Sequence, residues 1–90
     1  MKFTLARTKK FKRSFKKLHL KDKDEAHFID VVAKLLNGID LDENYKDHFL
    51  KGYSENYKEC HIKPDLLLIY RIYQDELQLI DIGSHSQLFR

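Results

Sequence analysis

Cysteine is nearly absent from this chain of 90 residues: Cys60 stands alone, so no intramolecular disulfide is available. The composition therefore fits a reducing cytoplasm better than an oxidising compartment, and packing is the expected role of Cys60. Long hydrophobic runs are missing too. The longest, Leu66 to Tyr70, is far below the about 18 residues needed to cross a bilayer, so it reads as a buried strand rather than a membrane span. At the N-terminus Phe3, Thr4, Leu5 and Ala6 give way at once to Arg7, which excludes an apolar stretch of signal-peptide length. Glycine is scarce, and no phosphate-cradling glycine loop, dinucleotide signature or zinc-finger spacing occurs. Linkers and internal repeats are likewise absent.

What the chain does have is charge, unevenly placed. The net charge is only +3, but Lys2, Arg7, Lys9, Lys10, Lys12, Arg13, Lys16, Lys17, Lys21 and Lys23 crowd the N-terminal end, with Asp22 as the single acid among them. Such a concentration makes a field that steers a polyanion toward one side, so nucleic acid is the first candidate partner and an acidic protein the second. At 42% hydrophobic content the chain is expected to form a single domain, residues 1–90, around one thin core.

Lys2 to Arg7 alternates in the period of a short strand with Phe3 and Leu5 on its buried face. Thr8 then caps a basic amphipathic helix whose apolar side is Phe11, Phe15 and Leu18. Asp22 and Glu25 resemble a capping box opening a second helix, with Phe28, Ile29, Val32, Leu35 and Leu36 as its stripe and Asn37-Gly38 as a left-handed stop. Ile39 to Lys46 reads as a loop. Strands are then expected at Phe49 to Tyr53, Tyr57 to Ile62, Leu66 to Tyr73 and Glu76 to Ile82, joined at hairpin lengths and hence antiparallel. The fold class is α+β, with an N-terminal strand and two helices packed on one face of a mainly antiparallel sheet. Arg71, in the central strand, needs a carboxylate or anion. Alternation offers Asp81 on the next strand as its cross-strand partner.

Histidine and carboxylate cluster at the ends of the sheet-like segments, in Glu59-Cys60-His61-Ile62 with Pro64-Asp65-Leu66-Leu67-Leu68-Ile69-Tyr70 and in Gly83-Ser84-His85-Ser86-Gln87-Leu88-Phe89. A metal site from Cys60, His61, His48 and His85 is not expected, because adjacent strand residues point to opposite faces and no close-spaced ligand pair is present.

Those two segments, in this order and with Leu50-Lys51-Gly52-Tyr53 before them, resemble the YafQ branch of the RelE-like bacterial toxins over almost the whole chain. The resemblance implies a compact RelE-like fold and a ribosome-dependent mRNA endoribonuclease that inhibits translation. It also implies a cognate antitoxin as partner, and operator DNA contact only as the toxin–antitoxin complex. By the same resemblance His48, His61, Asp65, His85 and Phe89 fall on positions associated with RNA cleavage. Two positions depart: family members carry tryptophan where this chain has Leu66, and a basic residue where it has Asp81. Lys51, Arg71 or Arg90 would then supply the charge for the phosphate.

RNA cleavage without metal or cofactor needs a base for the 2′-hydroxyl, an acid for the departing 5′-oxygen and positive charge at the phosphate. Histidines, with an unperturbed pKa of about 6.5, suit the first two roles. Asp65 is expected to act as base or to orient His61, His85 to act as acid, and His48 to transfer a proton or bond the phosphate. The alternative from another class is a noncatalytic toxin-like protein that inhibits a protein target such as DNA gyrase.

Overall fold

The computed structural model describes residues 1–52 and 56–89. Its order is β1 (Thr4–Arg7), α1 (Lys9–Leu18), α2 (Asp22–Leu36), a 3-10 turn (Glu43–Tyr45), β2 (His48–Phe49), β3 (Lys58–Lys63), β4 (Leu66–Tyr73), β5 (Glu76–Gly83) and α3 (His85–Leu88). The strands form one sheet in the order β1-β5-β4-β3-β2. Short turns make β2 to β5 antiparallel, whereas β1 lies parallel to β5, Thr4 opposite Glu76 and Arg7 opposite Leu79. The expected α+β architecture is therefore present.

Both helices cover one face of the sheet. Thr8 caps α1 as its sequence predicts, its hydroxyl oxygen accepting from the Phe11 N–H at 2.9 Å while its O–H donates to the Ile80 carbonyl at 2.7 Å, which ties the helix start to β5. Phe11 and Phe15 of α1 meet Phe28 of α2 with ring centroids 6.2 and 4.9 Å apart, so three aromatic rings join the helices. Beneath them Cys60, Ile62, Leu66, Leu68, Tyr70, Leu77, Leu79 and Ile82 are buried from the sheet side. Each such apolar side chain contributes about 1.5–3 kcal/mol.

Several local expectations are corrected. Leu5 is exposed, because β1 is an edge strand with α1 leaving before it can be covered. No side-chain cap opens α2: Lys21 holds the cap position, and Asp22, Asp24 and Glu25 sit in the first turn, where they meet the positive end of the helix dipole. Gly38 does stop α2 with φ of +69°. The stretch from Ile39 to Lys46 contains the 3-10 turn, whose buried Tyr45 donates to Asp30 Oδ2 at 3.2 Å. The strand expected at Phe49 to Tyr53 is only His48–Phe49 and gives way to a turn at Lys51 and Gly52, while Tyr53 lies outside the described residues. The segment after Gly83 is helical, capped by Ser84 and Gln87 in a reciprocal capping box.

Irregularities in register decide which side chains meet. Shifts occur between His61 and Lys63 and between Ile69 and Tyr70. The pairing of β4 with β5 sets Arg71 opposite Gln78 and Asp81 opposite Ile69, so the expected Arg71–Asp81 pair does not form. Arg71 Nε instead donates to Gln78 Oε1 at 2.6 Å. Asp81 pairs with Lys10 of α1 at 3.5 Å and accepts from the Ile82 N–H at 2.8 Å.

Candidate active site

Pairing places His48 opposite Glu59 and Glu59 opposite Ile69, so one row of side chains crosses three strands on one face of the sheet, while Asp81, paired with Ile69 at the register shift, turns its carboxylate to Lys10 of α1. One rung along, His61 lies opposite Leu67 and Leu67 opposite Gly83. Neighbouring strands are about 4.8 Å apart, so the backbones of His61 and Gly83 are separated by about 10 Å. Leu67 floors the space between them and is buried. His85 follows Gly83 by two residues and opens α3 under the Ser84 cap. Its ring rests against Phe89 with centroids 5.1 Å apart.

At the centre stands Glu59, which sequence reasoning quoted within its motif without giving it a role. Its carboxylate is 8% exposed, with Oε1 3.2 Å from His48 Nε2 and 3.8 Å from His61 Nε2. Its other oxygen, Oε2, is buried and finds no hydrogen-bond partner among the described residues. Such an atom is costly in a structure that satisfies most buried polar groups. The signal was present in the sequence, since Glu59 and His61 are two residues apart on a strand and so share a face.

His48 constrains the proton count. Its Nδ1 lies 2.6 Å from the Lys46 carbonyl, which can only accept, so the Nδ1 proton is fixed there. Nε2 then faces Glu59. A hydrogen bond across that 3.2 Å gap requires one further proton, either on the imidazole or on the carboxyl.

The remaining predicted residues divide by position. Asp65 is exposed in the β3–β4 turn and forms no ion pair with His61 among the described residues; the carboxylate beside His61 is Glu59. Asp65 instead lines a cavity of about 380 Å³ with His19, Lys63, Leu66 and Ser84, at the His85 end of the site. His61 lines a neighbouring cavity of about 540 Å³ with Lys23, His27, Lys46 and Lys63. The one carboxylate on that wall, Asp24, is paired with Lys63 at 2.9 Å, so the groove is positive. Arg71, two residues from Ile69 on the same strand face, is fixed between Tyr57 and Tyr73, its guanidinium carbon 5.4 and 4.9 Å from their ring centroids. Lys51 is exposed in the turn after β2, and Arg90 lies outside the described residues. Leu66 is buried in the core, so this position presents no base-stacking surface.

No group of three or more histidine, cysteine, aspartate or glutamate residues is disposed to hold a metal ion among the described residues. Nor is any helix among them long and apolar enough to cross a membrane.

Residues 3–90 match the family described as bacterial toxin of type II toxin-antitoxin system, YafQ. A Haemophilus influenzae relative carrying the YafQ toxin name is 44% identical over 64 residues, which are 67% of this chain and 63% of that protein, so the match spans less than two thirds of its length. The mRNA interferase toxin YafQ of Escherichia coli strain B / BL21-DE3 is 30% identical over 80 residues, 88% of this chain and 87% of its own. Among solved structures, a copper-bound mutant toxin from Helicobacter pylori superposes with a TM-score of 0.89 at 41% identity, covering 97% of this chain and 99% of that one. The E. coli DinJ-YafQ complex gives a TM-score of 0.85 at 28% identity, covering 98% and 99%.

Proposed function

The chain belongs to the YafQ family of bacterial type II toxin–antitoxin toxins, and from that premise we propose that it is an mRNA endoribonuclease acting by metal-independent acid–base chemistry on ribosome-bound message. The observation that carries this reading is Glu59, a buried carboxylate with an unpartnered oxygen set between two imidazoles. Relatives named mRNA interferase support it.

In this mechanism His61, which opens onto the 540 Å³ groove, takes the proton of a ribose 2′-hydroxyl. The 2′-oxygen attacks the adjacent phosphorus, and the bond from phosphorus to the 5′-oxygen breaks. Glu59 stabilises the imidazolium formed on His61, as a carboxylate does for a histidine base. His48 Nε2, 3.2 Å from the same carboxylate, holds it in place beside His61. His85, across Leu67, gives its proton to the departing 5′-oxygen, leaving a 2′,3′-cyclic phosphate and a 5′-hydroxyl. Asp65 stands at the His85 end, where a carboxylate orients the imidazole before that transfer. Lys23, Lys46 and Lys63 carry neighbouring phosphates, with Arg71, Lys51 and Arg90 as further cations. Phe89 supports a base or the His85 ring.

Docking on the ribosome falls to the lysine-rich face of α1, which presents Lys9, Lys12, Arg13 and Lys16 to solvent. The cognate antitoxin, as in the DinJ-YafQ complex, would mask the basic surface and block RNA access. Cleavage of message on programmed ribosomes, with free RNA as comparison, tests the reading. Wild type should leave 2′,3′-cyclic phosphate ends, and His61→Ala or His85→Ala should abolish the cuts. Growth arrest that survives both substitutions with intact message would refute it in favour of inhibition by binding.

A further inference from the structure

His48 sits in a strand of two residues at the edge of the sheet and is half exposed, so its own surroundings do little to hold it. The residue before it is held firmly. Asp47 accepts a short hydrogen bond from the Tyr70 hydroxyl through Oδ1 and an ion pair from Lys58 Nζ through Oδ2 at 2.9 Å. Both partners belong to the other face of the sheet. Lys58 neighbours Glu59 along β3 and so points away from it, and Tyr70 stands opposite Lys58 in the core beneath the helices. Lys58 is itself caged, with Nζ 5.0 Å from the Phe49 ring centroid and 5.8 Å from that of Tyr70. Asp47, Lys58 and Tyr70 line a separate cavity of about 210 Å³ with Leu35 and Ile72, away from the proposed substrate path.

On the far side of Asp47 lies Lys46, in the left-handed region at φ of +51°. Few residues other than glycine, asparagine and aspartate adopt this conformation without a constraint. Here it aims the Lys46 carbonyl back at His48 Nδ1, the contact that fixes the ring and its proton. A strained residue, an anchored one and a functional one thus follow in direct succession.

We propose that Asp47, clamped by Tyr70 and Lys58 on the helix-covered face, is a positioning residue that holds the Lys46 carbonyl in place and thereby aims His48 Nε2 at Glu59. The proposal rests on the nuclease reading for its effect on catalysis, but its effect on the His48 ring stands independently. Burial and the bond to Asp47 push the Tyr70 phenol well above the ordinary range, so it remains a donor at any working pH.

Nitrogen-15 NMR of the histidine rings, paired with single-turnover and steady-state cleavage on programmed ribosomes, tests it. In wild type His48 should show a protonated Nδ1 that does not average between tautomers. Tyr70→Phe should convert this to the averaged pattern of a free imidazole while the His61 and His85 signals stay in place. The turnover number should fall by about 10- to 100-fold, the scale of a misplaced catalytic group, with KM within about twofold. Lys58→Arg keeps the charge and should preserve both readouts. A folded Tyr70→Phe protein with wild-type His48 signals and turnover overturns the proposal. If that variant does not fold, Asp47→Asn replaces it, retaining volume and one acceptor, and wild-type His48 signals there overturn the proposal equally. A wild-type protein that cuts no RNA would defeat the nuclease reading, while the ring signals still decide whether the clamp operates.

Discussion

Replacing Glu59 by glutamine should stabilise the protein while nearly abolishing cleavage, and the two effects come from the same atoms. The carboxylate is 8% exposed and leaves Oε2 without a partner among the described residues. A buried unsatisfied polar group costs about 1–3 kcal/mol, more when charged. Against this stands the ion pair with His48, whose side chain is 50% exposed, so solvent screening limits its contribution to about 0–1 kcal/mol. Glutamine removes the charge, can donate its amide N–H to His48 Nε2, and leaves an uncharged oxygen in the place of Oε2. The expected net gain is about 1 kcal/mol, which raises Tm by about 4–8 °C in a domain of this size. Cleavage should fall by about 10²–10⁴, because the carboxylate charge that stabilises the His61 imidazolium is lost. Calorimetry and single-turnover cleavage on the same preparation measure the two quantities. A lowered Tm, or cleavage within about tenfold of wild type, would show that Glu59 is a structural residue and that its placement between the histidines is incidental.

Alkaline unfolding should be steep, because burial pushes the Cys60 thiol up to about 12 and the buried Tyr70 phenol above its ordinary range. Both keep their protons in the folded chain after the unfolded chain has lost them, so stability is full below about pH 9 and falls as pH rises; Cys60→Ala should flatten the decline between about pH 10 and 12 by about 1.4 kcal/mol per pH unit in denaturant titrations. Ser84→Ala removes the capping box of a four-residue helix. It should cost only about 1 kcal/mol of stability, yet lower turnover markedly as the His85–Phe89 contact loosens, a change visible in the His85 ring shifts. Lys10→Ala should change stability by no more than about 1 kcal/mol, since Lys10 is 70% exposed. Asp81→Ala, which also strips the Ile82 N–H of its acceptor, should cost about 1–3 kcal/mol by thermal unfolding, and Asp81→Arg should lose stability and cleavage together rather than gain rate.

Sequence periodicity served well where structure is local. The stripe Phe11, Phe15, Leu18 and the run from Phe28 to Leu36 each bury one helix face, and short polar connections made the later strands antiparallel neighbours. What stayed hidden is non-local. The parallel pairing of β1 with β5 joins Thr4 to Glu76 across most of the chain, and no pattern within either strand names the other. Register was the second blind spot. Counting alternation separately along two strands pointed to an Arg71–Asp81 pair, but the hairpin register sets Arg71 against Gln78 and Asp81 against Ile69. The histidines were legible only through family resemblance, whereas the role of Glu59 needed the cross-strand row that sets it against His48 and near His61. Asp65 shows the converse: close to His61 in sequence, it is carried by the turn to another cavity.

The departure at Asp81 has a physical resolution in the direction its carboxylate takes. A bare carboxylate there would repel an incoming phosphate, but Asp81 is 8% exposed and its charge is met by Lys10 and by the Ile82 N–H. The Asp81 carboxylate is thus turned to α1, away from the face that carries Glu59 and His48. In the proposed mechanism positive charge on that face comes from Arg71, about 6.7 Å farther along β4 from Ile69. Its guanidinium is fixed by Gln78 and two aromatic rings. A charge fixed before substrate arrives needs little reorganisation when the phosphate becomes more negative in the transition state. Loss of a basic side chain at position 81 is thus compatible with cleavage, provided the strand register that carries Arg71 onto the face of Glu59 is preserved.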